Sequence, residues 1–340
     1  MGMTKTILSA RWYKRLLATL AVLLGLAVLP ASAGQKDIVI GAHEAGSRHY
    51  VYGAAFTDLL TKYSGMTGRL VGVSGSGVWL PMMDDNEIDL GIDSFFGLYM
   101  AYKGKKPFTK PYDIKLVLVG GGINVGFYVR NSSPITSRYQ ARGKRMASEY
   151  SGAPNVKIYG EAELANVGLT WKDIKGVPRT SIYRGMKDDF AEKRLDVFYA
   201  SVGSGVTRQL DSTIGIRFLG LDTTPKALAR MRKVYPAMVT KVKKGSAPGI
   251  RSDMSLVYLP AYLVARGNLA DDVVYKVIQA AWEQNAALGK VDKKLKSWTP
   301  QGFVSPQASI PYHPGAIKFY KEKGVWTASM EATQKRVKGN

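Results

Sequence analysis

The chain has 340 residues, with 48 lysines and arginines against 26 acidic residues for a formal charge of +22, three histidines and no cysteine. The lack of cysteine excludes disulfides, thiol catalysis, thiolate metal sites and a lipidated cysteine anchor, and three histidines leave little room for a histidine metal cage.

In chain order, the N-terminus carries Lys5, Arg11, Lys14 and Arg15 without an acidic residue, then an apolar run from Leu16 to Leu29, then Pro30-Ala31-Ser32-Ala33. A charged segment, an apolar segment and small residues in that order predict a secretory leader, residues 1–33, cleaved after Ala33. The apolar run is 14 residues, short of the about 20 that a membrane span requires. Without the leader's four basic residues the mature chain keeps +18. An exported protein of that charge meets anionic solutes and membrane surfaces and not nucleic acid, although a basic surface also serves solubility.

The remaining 307 residues exceed one comfortable core and predict two domains. Apolar, β-rich runs recur at Ile38–Ala42, Leu70–Val73, Ile88–Ile92, Ile114–Val119, Val125–Val129, Val156–Tyr159, Leu195–Ala200 and Ile216–Leu219, with helical patterns between most of them. This alternation predicts α/β layers with parallel-rich sheets. The glycine cluster in Val117–Arg130 is expected to interrupt two strands where the chain crosses between domains, and Met254–Ala265 to carry it back. A helix over Asp271–Leu288 follows. The expected organisation is a first domain over 34–125, a second over 126–254, and a return to the first, with terminal helices, over 255–340.

Two strand–loop–helix units stand out near the start of the mature chain. The first reads IVIGA, HEAGSR and a helical stretch from His49 to Gly65; the second reads RLVGV, SGSG (Ser74 to Gly77) and VWLPMMDDN. Helix starts with small residues present free N–H groups and the positive end of a dipole, which suits a carboxylate or phosphate. Arg48 beside the first loop is the sharpest candidate, because a guanidinium grips a carboxylate bidentately; its alternatives are a solvated arginine or a pair with Glu44. Gly46 permits close approach, Ser47, Ser74 and Ser76 offer hydroxyls or helix caps, and Gly75 lies between the last two. One of Tyr50 and Tyr52, which lie on different helix faces, is expected to face the cleft. Trp79 and Phe95–Phe96 offer an apolar wall or plain core. Ser94, then Ser148 and Tyr150, and Ser201 and Ser204 in the second domain, follow apparent strands, the ends at which open α/β sheets hold ligands. His43, Glu44 and His49 fall within seven residues, but their spacing matches no helical zinc motif and no third histidine is near, so no metal and no cofactor is expected. His313, between prolines, is expected to pack the C-terminal segment.

The same residues carry a family resemblance. Gly41, Gly46, Tyr50 and Gly53, then Ser74-Gly75-Ser76, Met82-Met83, Glu87-Ile88-Asp89-Leu90 and Ala101-Tyr102-Lys103-Gly104, then Leu195 to Ser204, and finally Pro311 to Ala316 with Tyr320 to Gly324, resemble the motifs of TAXI-type solute-binding proteins of tripartite ATP-independent (TRAP) transporters. The resemblance implies a type II periplasmic-binding-protein fold, two α/β domains closing over a small ligand and delivering it to membrane permease subunits. Departures fall where ligand is touched: Glu44, Ala45, Arg48 and His49 in the first loop, Trp79 where asparagine is usual, and Ser94-Phe95-Phe96 for a Gln-Ser-Asp run. The family's ligands therefore do not carry over. The expectation is a monomeric periplasmic binder of a small organic carboxylate, with an apolar or aromatic portion near Trp79. The alternatives are an orphan receptor without a permease, or an exported enzyme. The latter lacks a Gly-x-Ser-x-Gly elbow and an evident nucleophile–base pair.

Overall fold

The computed structural model of the protein describes residues 37–183, 189–190 and 192–339; the leader and its cleavage point lie outside the described residues. Strands β1 (Asp37–His43), β2 (Thr67–Val73) and β3 (Leu90–Ser94) alternate with helices α1 (Arg48–Tyr63), α2 (Ser76–Asp84) and α3 (Phe95–Tyr102). Strand β4 (Ile114–Arg130) follows, then β5 (Arg145–Glu149), α4 (Asn155–Asn166), β6 (Lys175–Arg179), β7 (Phe198–Ser201), α5 (Gly205–Thr213), β8 (Ile216–Phe218), α6 (Pro225–Val234), β9 (Met238–Val242) and β10 (Met254–Arg266). Helices α7 (Asp271–Glu283), α8 (Asn285–Val291), α9 (Pro314–Glu322) and α10 (Ala328–Gly339) complete the chain. Among the described residues no helix is long and apolar enough to cross a membrane.

Eight strands form one sheet in the order β2-β1-β3-β10-β4-β7, with β8 also beside β4 and β9 beside β10; β5 and β6 pair separately and in parallel. Two long antiparallel strands tie the halves of this sheet together. Strand β10 meets β3 through Ala261–Ala265 and β9 through Met254–Tyr258. Strand β4 pairs with the end of β10 through Ile114–Gly120, then with β7 and β8 through Val125–Arg130. Their ladder shifts register between Leu259 and Ala261, where Pro260 has no N–H to donate, and again between Leu263 and Val264.

The glycines at this crossing do not end a strand, as the sequence suggested. β4 runs through them as a single 17-residue element, because they are sites of close approach. A Cβ on Gly120 would run into the Trp298 indole, and one on Gly122 into the backbone of Leu259. Val156–Tyr159, expected as a strand, lies inside α4; the helix-favouring segment around it outweighs a four-residue apolar run too short to fix a period. The helix expected over Asp271–Leu288 breaks at Gln284 into α7 and α8.

Trp79 packs in the first half of the core. It is wholly buried, and its ring lies across β1 and β3 where both have glycine: a Cβ on Gly41 would stand 3.0 Å from its Cγ, and one on Gly91 would overlap the six-membered ring. The second half is pinned by an ion pair. Arg138 Nε donates to Leu219 O at 2.9 Å and to Gly220 O at 3.0 Å, Nη2 donates to Leu219 O at 2.7 Å, and Nη1 bonds Glu163. Glu163 Oε2 also accepts the Phe127 N–H at 3.2 Å, which fastens α4 to β4.

Candidate functional site

A small pocket of about 30 Å3 lies where the two halves meet the crossing strands. The first half supplies His43, His49, Asp93 and Ser94; the second supplies Asn155, Val156, Tyr159, Ile182, Tyr183 and Tyr199–Ser201; the crossing strands supply Ile123, Val125 and Leu259. Strand geometry explains the first group. β1 and β3 pair in parallel with Gly41 opposite Gly91, so His43 and Asp93, each two residues further, emerge side by side from the C-terminal ends of adjacent strands. His43 Nε2 stands 3.3 Å from Asp93 Oδ2. The second residue of α1 brings the His49 ring to a centroid distance of 4.9 Å from His43.

All three groups are buried. Burial, with His43 beside it, lowers the His49 imidazole to about 4, so it is neutral at physiological pH. For Asp93, burial opposes ionisation, but His43 and then His49 outweigh it and hold the carboxyl well below the usual range. Asp93 Oδ1 accepts the Ser94 N–H at 2.6 Å. Across the pocket, Ser94 Oγ and Tyr159 Oη are 2.5 Å apart, and Tyr183 Oη and Ser201 Oγ 3.1 Å. Burial pushes the Tyr183 phenol up to about 12 and raises those of Tyr159 and Tyr199 as well, so this wall is a set of neutral hydroxyls. Both nitrogens of His43, Nε2 of His49, Oη of Tyr199 and Oδ1 of Asn155 are buried without a hydrogen-bond partner in the protein. Buried polar atoms are overwhelmingly satisfied, so such a concentration in one pocket singles it out as the candidate site.

Of the residues singled out from sequence, Ser94 and Ser201 line this pocket. Ser47 Oγ caps α1 by accepting the Tyr50 N–H at 2.9 Å, and Ser204 Oγ caps α5 by accepting the Thr207 N–H at 3.2 Å. Glu44 turns to the Ser181 hydroxyl and accepts the Tyr183 N–H at 3.2 Å. Gly46, at φ +94°, makes the turn before that cap. Arg48 is held by Asp292: Nη2 donates to Oδ1 at 2.7 Å and Nη1 to Oδ2 at 3.0 Å. Burial opposes ionisation of Asp292, but Arg48 outweighs it and lowers that carboxyl. Arg48 lines a separate cavity with Tyr52, Gly122, Ile123, Asn124, Val202 and Lys294. Its fork is therefore filled from within the protein, contrary to the expectation that it meets a ligand carboxylate.

The second loop is corrected in the same way. Gly77 donates its N–H to Gly152 O at 3.2 Å, and a Cβ on Gly75 would stand 2.5 Å from that of Ala153, so the SGSG segment meets the opposite half of the protein instead of an anion. Ser74 packs against Gly152, whereas Ser76 is buried beside Asp93, whose carboxyl its hydroxyl helps to hold ionised. Tyr50 lies over Gly72 on β2, and Ser148 beside Gly176. Trp79 and Tyr150 are core.

Sequence reasoning missed Asp93, Asn155, Tyr159, Tyr183 and Tyr199 as site residues, and set His43 and His49 aside for want of a third histidine. One signal was readable: Asp93 is a charged residue in a five-residue strand that is otherwise wholly buried, and an unpaired buried carboxylate is costly.

Comparison with known proteins agrees with this architecture. The structure of the periplasmic binding protein BugD superposes with a TM-score of 0.54 at 13% identity, covering 89% of this chain and 97% of that one. The ligand-binding component of an ABC-type import system from Staphylococcus aureus, determined with zinc bound, superposes with a TM-score of 0.51 at 13% identity, covering 86% and 93%. The fold is thus that of periplasmic binding proteins, two α/β domains around a cleft, as expected from sequence. Residues 40–324 match the NMT1-like family, and the chain belongs to it.

Proposed function

We propose that this protein is an exported solute-binding component that closes over a small organic carboxylate in the pocket between its halves and delivers it to a membrane permease. One observation carries the reading: the pocket is lined at once by both halves and by the two strands that cross between them, the arrangement in which a hinge motion opens and closes a site. The tyrosine and serine hydroxyls and the imidazoles supply hydrogen bonds, and Ile123, Val125, Val156, Ile182 and Leu259 accommodate an apolar portion. The apolar wall once assigned to Trp79 passes to these residues. The export leader places the mature start at Gly34 and the protein in the periplasm. Domain boundaries near 125 and 254 put the hinge at Gly120–Gly122 and Leu259–Ala261.

The resemblance to TAXI proteins supports a TRAP-type permease. The Staphylococcus aureus neighbour serves an ABC-type importer, which makes an ATP-driven permease the second reading; uptake that continues when ATP is depleted but the ion gradient is kept favours the first.

A thermal-shift screen of small carboxylates, followed by solution scattering, tests the binding role. The expected result is a rise in Tm with a decrease in radius of gyration and recovery of the ligand unchanged. A ligand that binds in the pocket without compaction overturns closure, and conversion of that ligand to product overturns the binder reading in favour of an enzyme.

A further inference from the structure

Two of the chain's three histidines converge on one carboxylate. One imidazole nitrogen from His43, one from His49 and one oxygen of Asp93 all lie within 4.8 Å of one another. A tetrahedral zinc ion with bonds of about 2.0–2.1 Å holds its donors roughly 3.3 Å apart. His43 Nε2 and Asp93 Oδ2 already stand at 3.3 Å, and the widest separation in the group exceeds that spacing by only about 1.5 Å, within reach of small side-chain rotations.

The donors also converge: Asp93 Oδ2 faces His43 Nε2 at 3.3 Å and accepts from Asn155 Nδ2 at 3.5 Å. His49 Nε2 and both His43 nitrogens are buried without a hydrogen-bond partner. Asp93 is oriented through its other oxygen by the Ser94 N–H, the kind of support that metal-ligating carboxylates receive. A hydrogen-bonding wall for an organic solute explains the imidazoles, and those imidazoles are the only groups able to carry positive charge beside the carboxylate among the described residues lining the pocket. Among the described residues lining the pocket there is no lysine or arginine, and buried charges are paired or coordinate metals. A divalent cation held by both imidazoles and the carboxylate would add full positive charge beside Asp93. Two imidazole nitrogens and one oxygen, with no sulfur, suit zinc and its first-row neighbours and not calcium or magnesium, which take oxygen donors.

We propose that His43, His49 and Asp93 form a binding site for a divalent transition-metal ion of the zinc type. Three protein donors leave a fourth position for water or for an oxygen of a solute. The metal site itself does not depend on the solute-binding reading. Glu44, adjacent to His43 in sequence, takes no part, because its carboxylate is turned to Ser181 and Tyr183.

The test uses protein carrying no histidine tag, stripped with EDTA, and zinc alone as the probe. Calorimetry and metal analysis are expected to find one zinc per chain, with affinity lowered at least about tenfold in each of His49→Gln and Asp93→Asn, a loss that outer-shell changes alone already reach. Absence of stoichiometric zinc overturns the site, and so does equal affinity in both variants and the native protein. X-ray absorption at the zinc edge of the native protein keeps the proposal testable where a variant does not fold: a four-coordinate nitrogen and oxygen shell containing two imidazoles is expected, and a shell without imidazole overturns it. The solute screen is run separately in EDTA, so that failure to bind zinc with solute stabilisation intact refutes the metal site alone.

Discussion

Two buried clusters of charge, one in each half of the sheet, are built to opposite rules. Around Arg138 the guanidinium is fully engaged by Leu219 O, Gly220 O and Glu163, and Glu163 in turn receives the Phe127 N–H. Around Asp93 two imidazoles and a carboxylate are equally buried, yet three imidazole nitrogens have no partner in the protein. Burial and charge are alike in the two places, but the degree of satisfaction differs: around Arg138, among the described residues, only Glu163 Oε1 lacks a partner. A satisfied cluster stabilises the fold, whereas an unsatisfied one lowers stability for the sake of something it binds.

The largest effect expected from breaking this comparison lies at the satisfied cluster. Arg138→Met leaves Glu163 ionisable, buried and unpaired, and is expected to lower the unfolding free energy by about 3–5 kcal/mol, measured by urea denaturation. Replacing both partners, as in Arg138→Met with Glu163→Leu, should recover much of that loss. A cost below about 1 kcal/mol for the single variant would show that the pair contributes no more than a surface salt bridge.

Arg48 is an intermediate case. It is bonded bidentately to Asp292 and lies over the Tyr52 ring at 5.4 Å. Arg48→Ala is expected to cost about 1.5–3 kcal/mol of stability, the range for hydrogen bonds to charged groups, while solute affinity at the pocket stays nearly unchanged. A large loss of affinity with stability intact would return Arg48 to the ligand site.

At the unsatisfied cluster the order of effects reverses. Tyr199→Phe removes a buried hydroxyl that has no partner in the protein, so stability is expected to stay level or rise slightly, by less than about 1 kcal/mol. If that hydroxyl meets solute, affinity falls by roughly the 0.5–1.5 kcal/mol of one neutral hydrogen bond. Equilibrium unfolding and ligand titration on the same preparation separate the two; destabilisation without loss of affinity would make Tyr199 part of the core.

The smallest effect concerns the third histidine, which lies outside the pocket. His313 Nδ1 accepts the Gly315 N–H at 3.2 Å and caps α9, and burial lowers its imidazole below the ordinary value. The unfolded chain therefore takes up this proton more readily than the folded one. The contribution is present above the ordinary imidazole pKa of about 6.5 and is lost as pH falls below it. His313→Asn is expected to flatten the decline in stability between pH 7 and pH 5; an unchanged slope would assign that decline to other groups.

Much of the frame was legible in the sequence. The α/β alternation, the return strand at Met254 and the loops after Ala42 and Val73 follow from apolar periodicity and punctuation by small residues, which are local signals. The site was legible only in part, because local spacing does not report which atoms are already engaged. Arg48 stands beside a glycine loop in sequence, but its partner is Asp292, 244 positions away. Ser47, read as a donor or a helix cap, caps its helix, and Ser204, which looked like a ligand donor, serves as a cap too. Trp79 seemed to offer an aromatic wall, and its ring covers Gly41 and Gly91 inside the core.

By itself the sequence determined the class of fold, the places of most strands of the main sheet and the absence of thiol chemistry, because periodicity, turn residues and composition act over a few positions of the chain. The tertiary structure decided which polar groups were spent and which were left. The parallel register of β1 and β3 set His43 beside Asp93, the start of α1 added His49, and the two crossing strands closed the tyrosines of the second half over them. Hydrogen bonding and burial depend on neighbours brought together from distant parts of the chain, so only the folded protein distinguishes an arginine held by an aspartate from a histidine still lacking a partner.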